Sequence, residues 1–367
     1  MKILLIGEYS NVHWTLAEGL RVLGHDVTVV SDGDVWKNYQ RDINLKRRSL
    51  DKLDSLRYLA DVELTISRLK GYDVVQIINP IFLDLKAERM MRYYRKLRRQ
   101  NKKMFLGAYG IDHLWVREGL KPETFKYSDF YLNGKLRDYP FLQEMKHEWL
   151  EGAKGQVNLE IANDCDGIIA GLYEYWRCYK EEYAQKLIYI PYPINLSKTT
   201  HIKPHPEYPG IRFFIGIQKT RNAYKGTDIM LSALEELKKK YPEQMEIVKA
   251  ESVPYPEYQN MMNTSDVLLD QLYSYTPAMN GLLAMSKGLV LVGGGEEEFY
   301  KLQGEEELRP IINVQPTKED VFRQIEEQLL LQPENLKCLS EQSIAFIQRH
   351  HNYVKVARQY LDFWASR

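Results

Sequence analysis

Apolar runs of strand length alternate with amphipathic stretches of helix length along the whole chain, and this alternation constrains the fold more than any other feature. Residues 2–6 form an apolar run, 12–23 are periodic at helical spacing, and Gly24-His25 closes that segment before a second run at 27–30. Further strand-like runs at 74–78, 104–106, 167–170 and 187–190 are separated by helical stretches such as 85–99 and 173–183. Strands separated by helices in this way build a parallel sheet covered by helices.

Between Pro193 and Gly210 the pattern stops, and Pro204, Pro206 and Pro209 stand among Ser, Thr, Lys and His residues as a stiff, solvated connection. A second alternation follows, with strands at 212–217, 246–249, 267–269 and 289–292 and helices at 227–240, 256–262 and 278–287. A chain of 367 residues is too long for one compact core. The expected fold is therefore α/β, with two Rossmann-like domains facing each other across a cleft. The first domain is assigned residues 1–195 and the second 196–349. The tail reads as helix at 318–331, 333–349 and 353–364, more than one small sheet needs, so residues 350–367 are expected to return to the first domain.

Composition removes several function classes. No apolar run approaches the ~18 residues of a membrane-spanning helix, and no signal-peptide pattern precedes the first strand, so the expected location is the cytoplasm. Cys165, Cys178 and Cys338 are too few and too widely spaced for a disulfide framework or a zinc site. Basic and acidic residues number 50 each, which disfavours a nucleic-acid partner, although the first 200 residues carry +4 and the remainder −4.

In open parallel sheets ligands bind beyond the carboxyl ends of the strands, so the loops there hold the candidate site. The first is Gly7 to His13. It lacks the second and third glycines of G-x-G-x-x-G, which argues against a nicotinamide or flavin enzyme, while Gly7, Ser10, Asn11 and His13 offer contacts for a hydroxylated or anionic ligand. A plain helix start with a surface histidine is the other reading of this loop. The loop after the strand at 212–217 carries Lys219, Arg221 and Lys225 just before Gly226 and a helix start, placing fixed positive charge beside free backbone N–H groups. That is chemistry for a diphosphate.

The order of Lys225-Gly226-Thr227-Asp228, Ser265-Asp266-Val267, Ala284-Met285-Ser286-Lys287-Gly288, an apolar strand and Gly293-Gly294-Gly295-Glu296 resembles the C-terminal domain of the family-4 glycosyltransferases of GT-B fold. Gly24-His25-Asp26-Val27, Tyr109-Gly110-Ile111-Asp112 and Ile190-Pro191-Tyr192-Pro193-Ile194 agree with the N-terminal domain, so the resemblance covers most of the chain in order. It implies retaining transfer of a sugar from a UDP- or GDP-linked donor, with no cofactor and no required metal, to a saccharide or lipid-linked acceptor. By matching position, Arg221 and Lys225 hold the diphosphate together with Lys219 and Gly226. Val253 meets the base, and Tyr275, Thr276, Ala278, Met279 and Asn280 face the sugar. Asp112 lies near the reacting sugar, and Gly7, Ser10, Asn11 and His13 form the acceptor side.

One departure stands out. The family's two glutamates, eight positions apart, are here Tyr275 and Leu283, and Glu296 is the candidate carboxylate to compensate. This leaves open two alternatives of the same fold, a nucleotide-sugar-binding protein without activity and a sugar-nucleotide epimerase. Asp32-Gly33-Asp34 and Asp164-Cys165-Asp166 match the D-x-D string of metal-dependent transferases, but such strings are common and no metal is assigned to them. Segment 86–103 carries nine basic residues and one acid, opposite an apolar stripe of Met90, Tyr93, Tyr94 and Leu97. It is a candidate for peripheral contact with anionic lipid, although a solvated face is the simpler reading.

Overall fold

The computed structural model describes residues 1–35, 37–199, 210–218 and 222–367. Lys219 and Arg221, and the prolines at 204, 206 and 209, lie outside the described residues. The chain divides into two compact units, one of Met1–Thr124, Leu142–Asn195 and Tyr353–Arg367, the other of Phe125–Phe141 and Leu196–Asn352.

The first unit is built on strands β1 (Lys2–Ile6), β2 (Asp26–Ser31), β3 (Ile43–Asn44), β4 (Val74–Ile77) and β5 (Lys103–Ala108), joined later in the chain by β8 (Gly167–Ala170) and β9 (Leu187–Tyr189). Between them in sequence, β6 (Tyr131–Leu132) and β7 (Lys135–Leu136) pair as a small antiparallel hairpin. The seven strands form a parallel sheet in the order β3-β2-β1-β4-β5-β8-β9. Ile3 to Ile6 are fully buried because helices cover both faces, which is why this strand reads as a continuous apolar run. The strand order reverses at β1 and β4, so the loop after β1 opens at the switch point.

The C-terminal helix Tyr353–Ala365 belongs to this unit and packs on the helix Val12–Val22. Contact is close because Gly19 has no side chain, and a Cβ there would lie 2.3 Å from the Tyr353 carbonyl oxygen. Farther along the helix, Trp364 packs on Phe105 and the Tyr360 hydroxyl bonds that of Tyr109, and both side chains are buried.

The second unit holds β10 (Ile211–Ile217), β11 (Met245–Glu251), β12 (Val267–Leu269), β13 (Val290–Gly293) and β14 (Ile311–Asn313), all parallel, in the order β11-β10-β12-β13-β14. Phe213, Ile215, Val267, Leu269, Val290 and Val292 share one sheet face with Met230, Leu234 and Leu237 of the helix Thr227–Lys240, while Phe214, Leu268 and Leu291 are buried on the other face. Here the order reverses at β10 and β12. The segment Phe125–Phe141, which the sequence reading gave to the first domain, packs with this unit instead.

The basic helix of the first unit is Ala87–Gln100, with Met90, Tyr93, Tyr94 and Leu97 buried. Much of its positive charge is met within the unit. Arg92 and Lys96 pair with Glu63, Arg95 with Glu160, and Arg98 with Asp164 and Asp166. Those last two carboxylates also accept from Tyr94 and from the Met104 backbone, so this acidic pair is engaged in holding helix to sheet. No described helix is long and apolar enough to cross a membrane.

Candidate functional site

At the β10/β12 switch point of the second unit, β10 ends at Ile217 and the described chain resumes in the short helix Asn222–Lys225. Gly226 then adopts φ 70°, and a Cβ there would stand 2.7 Å from Leu272 Cβ, so both backbone and space require glycine. The Leu272 N–H donates to the Lys225 carbonyl at 2.9 Å, tying the loop after β10 to the loop after β12. The Lys225 side chain is half-buried, and among the described residues its ammonium has no carboxylate partner. Beside it the helix Thr227–Lys240 begins without a side-chain cap, as do the helices Tyr255–Asn263 and Met279–Ser286 after β11 and β12. Uncapped N-termini leave N–H groups and the positive end of the helix dipole available to an anion.

The carboxylate at this edge that sequence reasoning missed is Asp270. It follows β12 directly, is buried, and accepts from Asn280 Nδ2 at 3.1 Å, while the Tyr258 hydroxyl donates to Asn280 Oδ1 at 3.2 Å. Asn280 is thereby oriented from both sides. Ala278 is the uncapped start of the Met279–Ser286 helix, Thr276 is buried with its carbonyl accepting from Ser274, and Val253 follows Ser252, which has φ 55°.

Tyr275 and Glu296 are both engaged by the segment Phe125–Phe141. The Tyr275 hydroxyl accepts the Lys126 N–H at 2.7 Å, and its ring packs on Tyr127 at 5.0 Å. Glu296, nearly enclosed, accepts from Tyr127 at 2.8 Å, Gln315 at 2.8 Å, Asn313 at 3.1 Å and the Lys126 ammonium at 3.2 Å. Burial alone would raise its pKa, but these donors outweigh it and hold the carboxyl below the usual range. Arg137 of the same segment donates to the Ala223 and Asp129 carbonyls and lies 3.5 Å over the Tyr273 ring. Residues 125–141 thus fasten the loops after β10, β12 and β13.

At the β1/β4 switch point of the first unit, Gly7, Ser10 and Asn11 take φ of 84°, 52° and 69°. A Cβ on Gly7 would lie 2.3 Å from Ile78 Cγ2, so packing on the neighbouring strand already demands this glycine. The Ser10 N–H donates to Asp34 at 2.8 Å, and Asn11 donates to Thr15 at 3.2 Å. His13 is not a surface residue. Its ring is buried, with Nδ1 donating to the Gly7 carbonyl at 2.8 Å and Nε2 accepting from Gln76 at 3.2 Å. Burial pushes its pKa down to about 3, so the ring is neutral near pH 7.

Glu8, which sequence reasoning passed over, fills the N-terminus of the helix Val12–Val22. Its two oxygens accept the His13 N–H at 3.2 Å and the Trp14 N–H at 2.9 Å. Burial raises this carboxyl to about 8, against the lowering effect of those bonds. A side chain therefore occupies the N–H groups that an anionic ligand of this unit would use. Asp112 is also buried, caps the helix His113–Gly119 through the Trp115 N–H at 2.8 Å, and accepts from Tyr179 at 2.8 Å. Burial raises its pKa to about 6.

No protein-family model and no curated protein matches the chain in sequence. Solved structures do match in shape over its whole length. The Anabaena protein HepE, solved with UDP and glucose, aligns with a TM-score of 0.62 at 12% identity over 100% of both chains. Sucrose-phosphate synthase from Thermosynechococcus elongatus gives 0.60 at 13%, again over 100% of both. The catalytic domain of Starch Synthase IV from Arabidopsis thaliana, bound to ADP and acarbose, gives 0.57 at 10% over 100% of this chain and 99% of that one. The chain has the fold of these proteins, two Rossmann-like domains of the GT-B type.

Proposed function

We propose that this chain is a glycosyltransferase of the family-4 kind, moving a sugar from a UDP- or GDP-linked donor to a saccharide or lipid-linked acceptor, with retention and without a required metal. The observation that carries the reading is Lys225, a half-buried cation without a carboxylate partner among the described residues, beside the uncapped start of the helix Thr227–Lys240. As the glycosidic bond breaks, the leaving diphosphate gains charge, and a fixed ammonium with aligned N–H groups stabilises that state more than the ground state. In this proposal Arg221 and Lys219 complete the cationic loop, Val253 meets the base, and Asn280, held by Asp270 and Tyr258, contacts the sugar. Asp112 fixes the loop on the acceptor side. Where the acceptor is lipid-linked, peripheral membrane contact through segment 86–103 belongs to the same proposal.

A thermal-shift panel of UDP, GDP, ADP and CMP with their sugar conjugates, on wild type and Lys225→Ala, tests it. Ligand at ~100 times Kd adds about 2.7 kcal/mol, so one nucleotide should raise Tm in wild type and fail to do so in the variant. No response to any nucleotide overturns the reading. The internal use of Tyr275 and Glu296 favours a second reading, a binding protein without turnover, in which the nucleotide sugar binds but is never consumed.

A further inference from the structure

The helix Lys52–Arg68 of the first unit carries apolar side chains on two sides. Tyr58, Val62 and Ile66, spaced by four, face the core and are buried. At 3.6 residues per turn, Leu53, Ala60 and Leu64 fall on the line opposite Val62, with Leu56 on one flank and Arg57 and Asp61 on the other. Leu53, Leu56 and Leu64 are exposed by 81%, 65% and 52%. A single exposed leucine means little, but a surface helix is normally polar opposite its core, and a row of leucines there marks a contact face. Beside the Leu56 flank lies an open groove of 440 Å³, lined by Leu59, Ala60 and Glu63 of this helix and by Arg89, Arg92 and Tyr93 of the helix Ala87–Gln100. The Glu63 carboxylate is already engaged by Arg92 and Lys96, so no unpaired acid lines the groove.

The polar flank selects the occupant. Arg57 and Asp61 are both exposed, and among the described residues neither has an ion-pair partner. A surface of one sign would attract one of them and repel the other, whereas a second copy of the chain matches both. In an antiparallel pair of identical helices related by a two-fold axis, each flank faces the same flank of the other helix. With Leu53 set beside the partner's Leu64, Arg57 meets the partner's Asp61, and the two-fold repeats that ion pair. On the other flank the same register brings Leu56 over the groove, at the partner's Ala60 and the partner's Glu63. Ala60 lies beside the two-fold axis, where a small side chain lets the helices approach closely. Leucine row, groove and ion pair are thus satisfied by one register.

We infer that this face is a self-interface, through which two copies of the chain pair their Lys52–Arg68 helices antiparallel about a two-fold axis. The inference stands whether or not the chain transfers a sugar. The face is one helix wide, at the small end of specific interfaces, so the dimer is reversible and depends on concentration. Sedimentation velocity on the full chain from about 1 to about 100 µM tests it, and wild type should pass from monomer to dimer across that range. A Leu53→Ser, Leu56→Ser double variant should dimerise at least about 100-fold more weakly, since four leucines leave each dimer, with its circular dichroism unchanged because these side chains are exposed. Arg57→Asp should weaken the dimer about tenfold by placing like charges together, and adding Asp61→Arg to it should restore the affinity. The register has its own readout. In a Cys338→Ser background, which removes the exposed native thiol, a mixture of Leu53→Cys and Leu64→Cys chains should give a disulfide-linked dimer on mild oxidation, and neither chain alone should. Wild type that stays monomeric throughout, a dimer indifferent to the leucine variant, or a Leu53→Cys chain that links to itself as readily as to Leu64→Cys overturns the inference. A monomer that phosphatidylglycerol vesicles capture through the same leucines overturns it too, and identifies lipid as the occupant.

Discussion

The Tyr127 hydroxyl donates to Glu296 Oε1 at 2.8 Å, and this bond fastens the segment Phe125–Phe141 to the turn after β13 of the second sheet. A hydrogen bond to a buried carboxylate is worth about 1.5–3 kcal/mol, so Tyr127→Phe should lower unfolding free energy by that amount near neutral pH. Because Glu296 titrates below its ordinary value, its contribution is present above the unfolded carboxylate pKa and is lost as pH falls through the depressed folded value. The gap between variant and wild type in urea denaturation should therefore narrow on acidification. A gap that stays constant would show that the hydroxyl matters for packing and not for the charge.

Lys225 makes no ion pair among the described residues, so its removal should leave folding intact. Lys225→Ala is expected to shift unfolding free energy by less than about 0.5 kcal/mol while lowering kcat/KM about 100-fold, some 3 kcal/mol of transition-state stabilisation. Steady-state kinetics on the donor identified by the nucleotide panel measures this. Unchanged turnover would remove Lys225 from the diphosphate site.

Glu8 and His13 pull the pH dependence of stability in opposite directions. Glu8 is raised to about 8 in the folded chain, so the folded state holds a proton that the unfolded state has released; its contribution is full below the usual carboxylate range and lost as pH rises to about 8. His13 is lowered to about 3, so its contribution is full above the ordinary histidine range and lost as pH falls toward that value. The advantage of wild type over Glu8→Gln should shrink as pH rises from about 5 to about 9, and its advantage over His13→Asn should shrink as pH falls below about 6. Urea denaturation across that range gives both slopes, and parallel profiles for wild type and either variant would contradict the environment described for that residue.

The alternation of apolar runs with helical segments was enough to find most strands of both sheets, because a parallel strand covered on two faces is apolar at every position. β14 was not visible, since Ile311 and Ile312 are only two apolar residues between Pro310 and Asn313. The helix Lys52–Arg68 escaped for the opposite reason: leucines on its outer face erase the polar side by which an amphipathic helix is recognised. Lys225 and Gly226 could be singled out because a cation and a glycine before a helix start form a local pattern. Glu8, Asp270 and the Tyr127–Glu296 bond could not, since their character comes from burial and from partners up to 169 positions away.

The triple glycine that ends β13 enters the sequence reading only as part of a family motif, but its central residue answers to space. A Cβ on Gly294 would lie 1.8 Å from the Ser274 carbonyl oxygen, a backbone atom that cannot rotate away, whereas Gly304 has nothing within 4 Å and needs glycine only for its φ of 68°. Gly304→Ala should then cost about 1 kcal/mol, the penalty of a left-handed alanine. Gly294→Ala should cost about 3 kcal/mol or more, because the loops after β12 and β13 must separate to admit the methyl group. Separation would also strain the bond from the Glu296 N–H to the Tyr275 carbonyl, now 3.2 Å, so Gly294→Ala should weaken nucleotide binding while Gly304→Ala leaves it intact. Chemical denaturation and the nucleotide thermal shift, run on both variants, separate the two effects. Equal destabilisation would mean that the turn after β13 can move without disturbing the strand beside it.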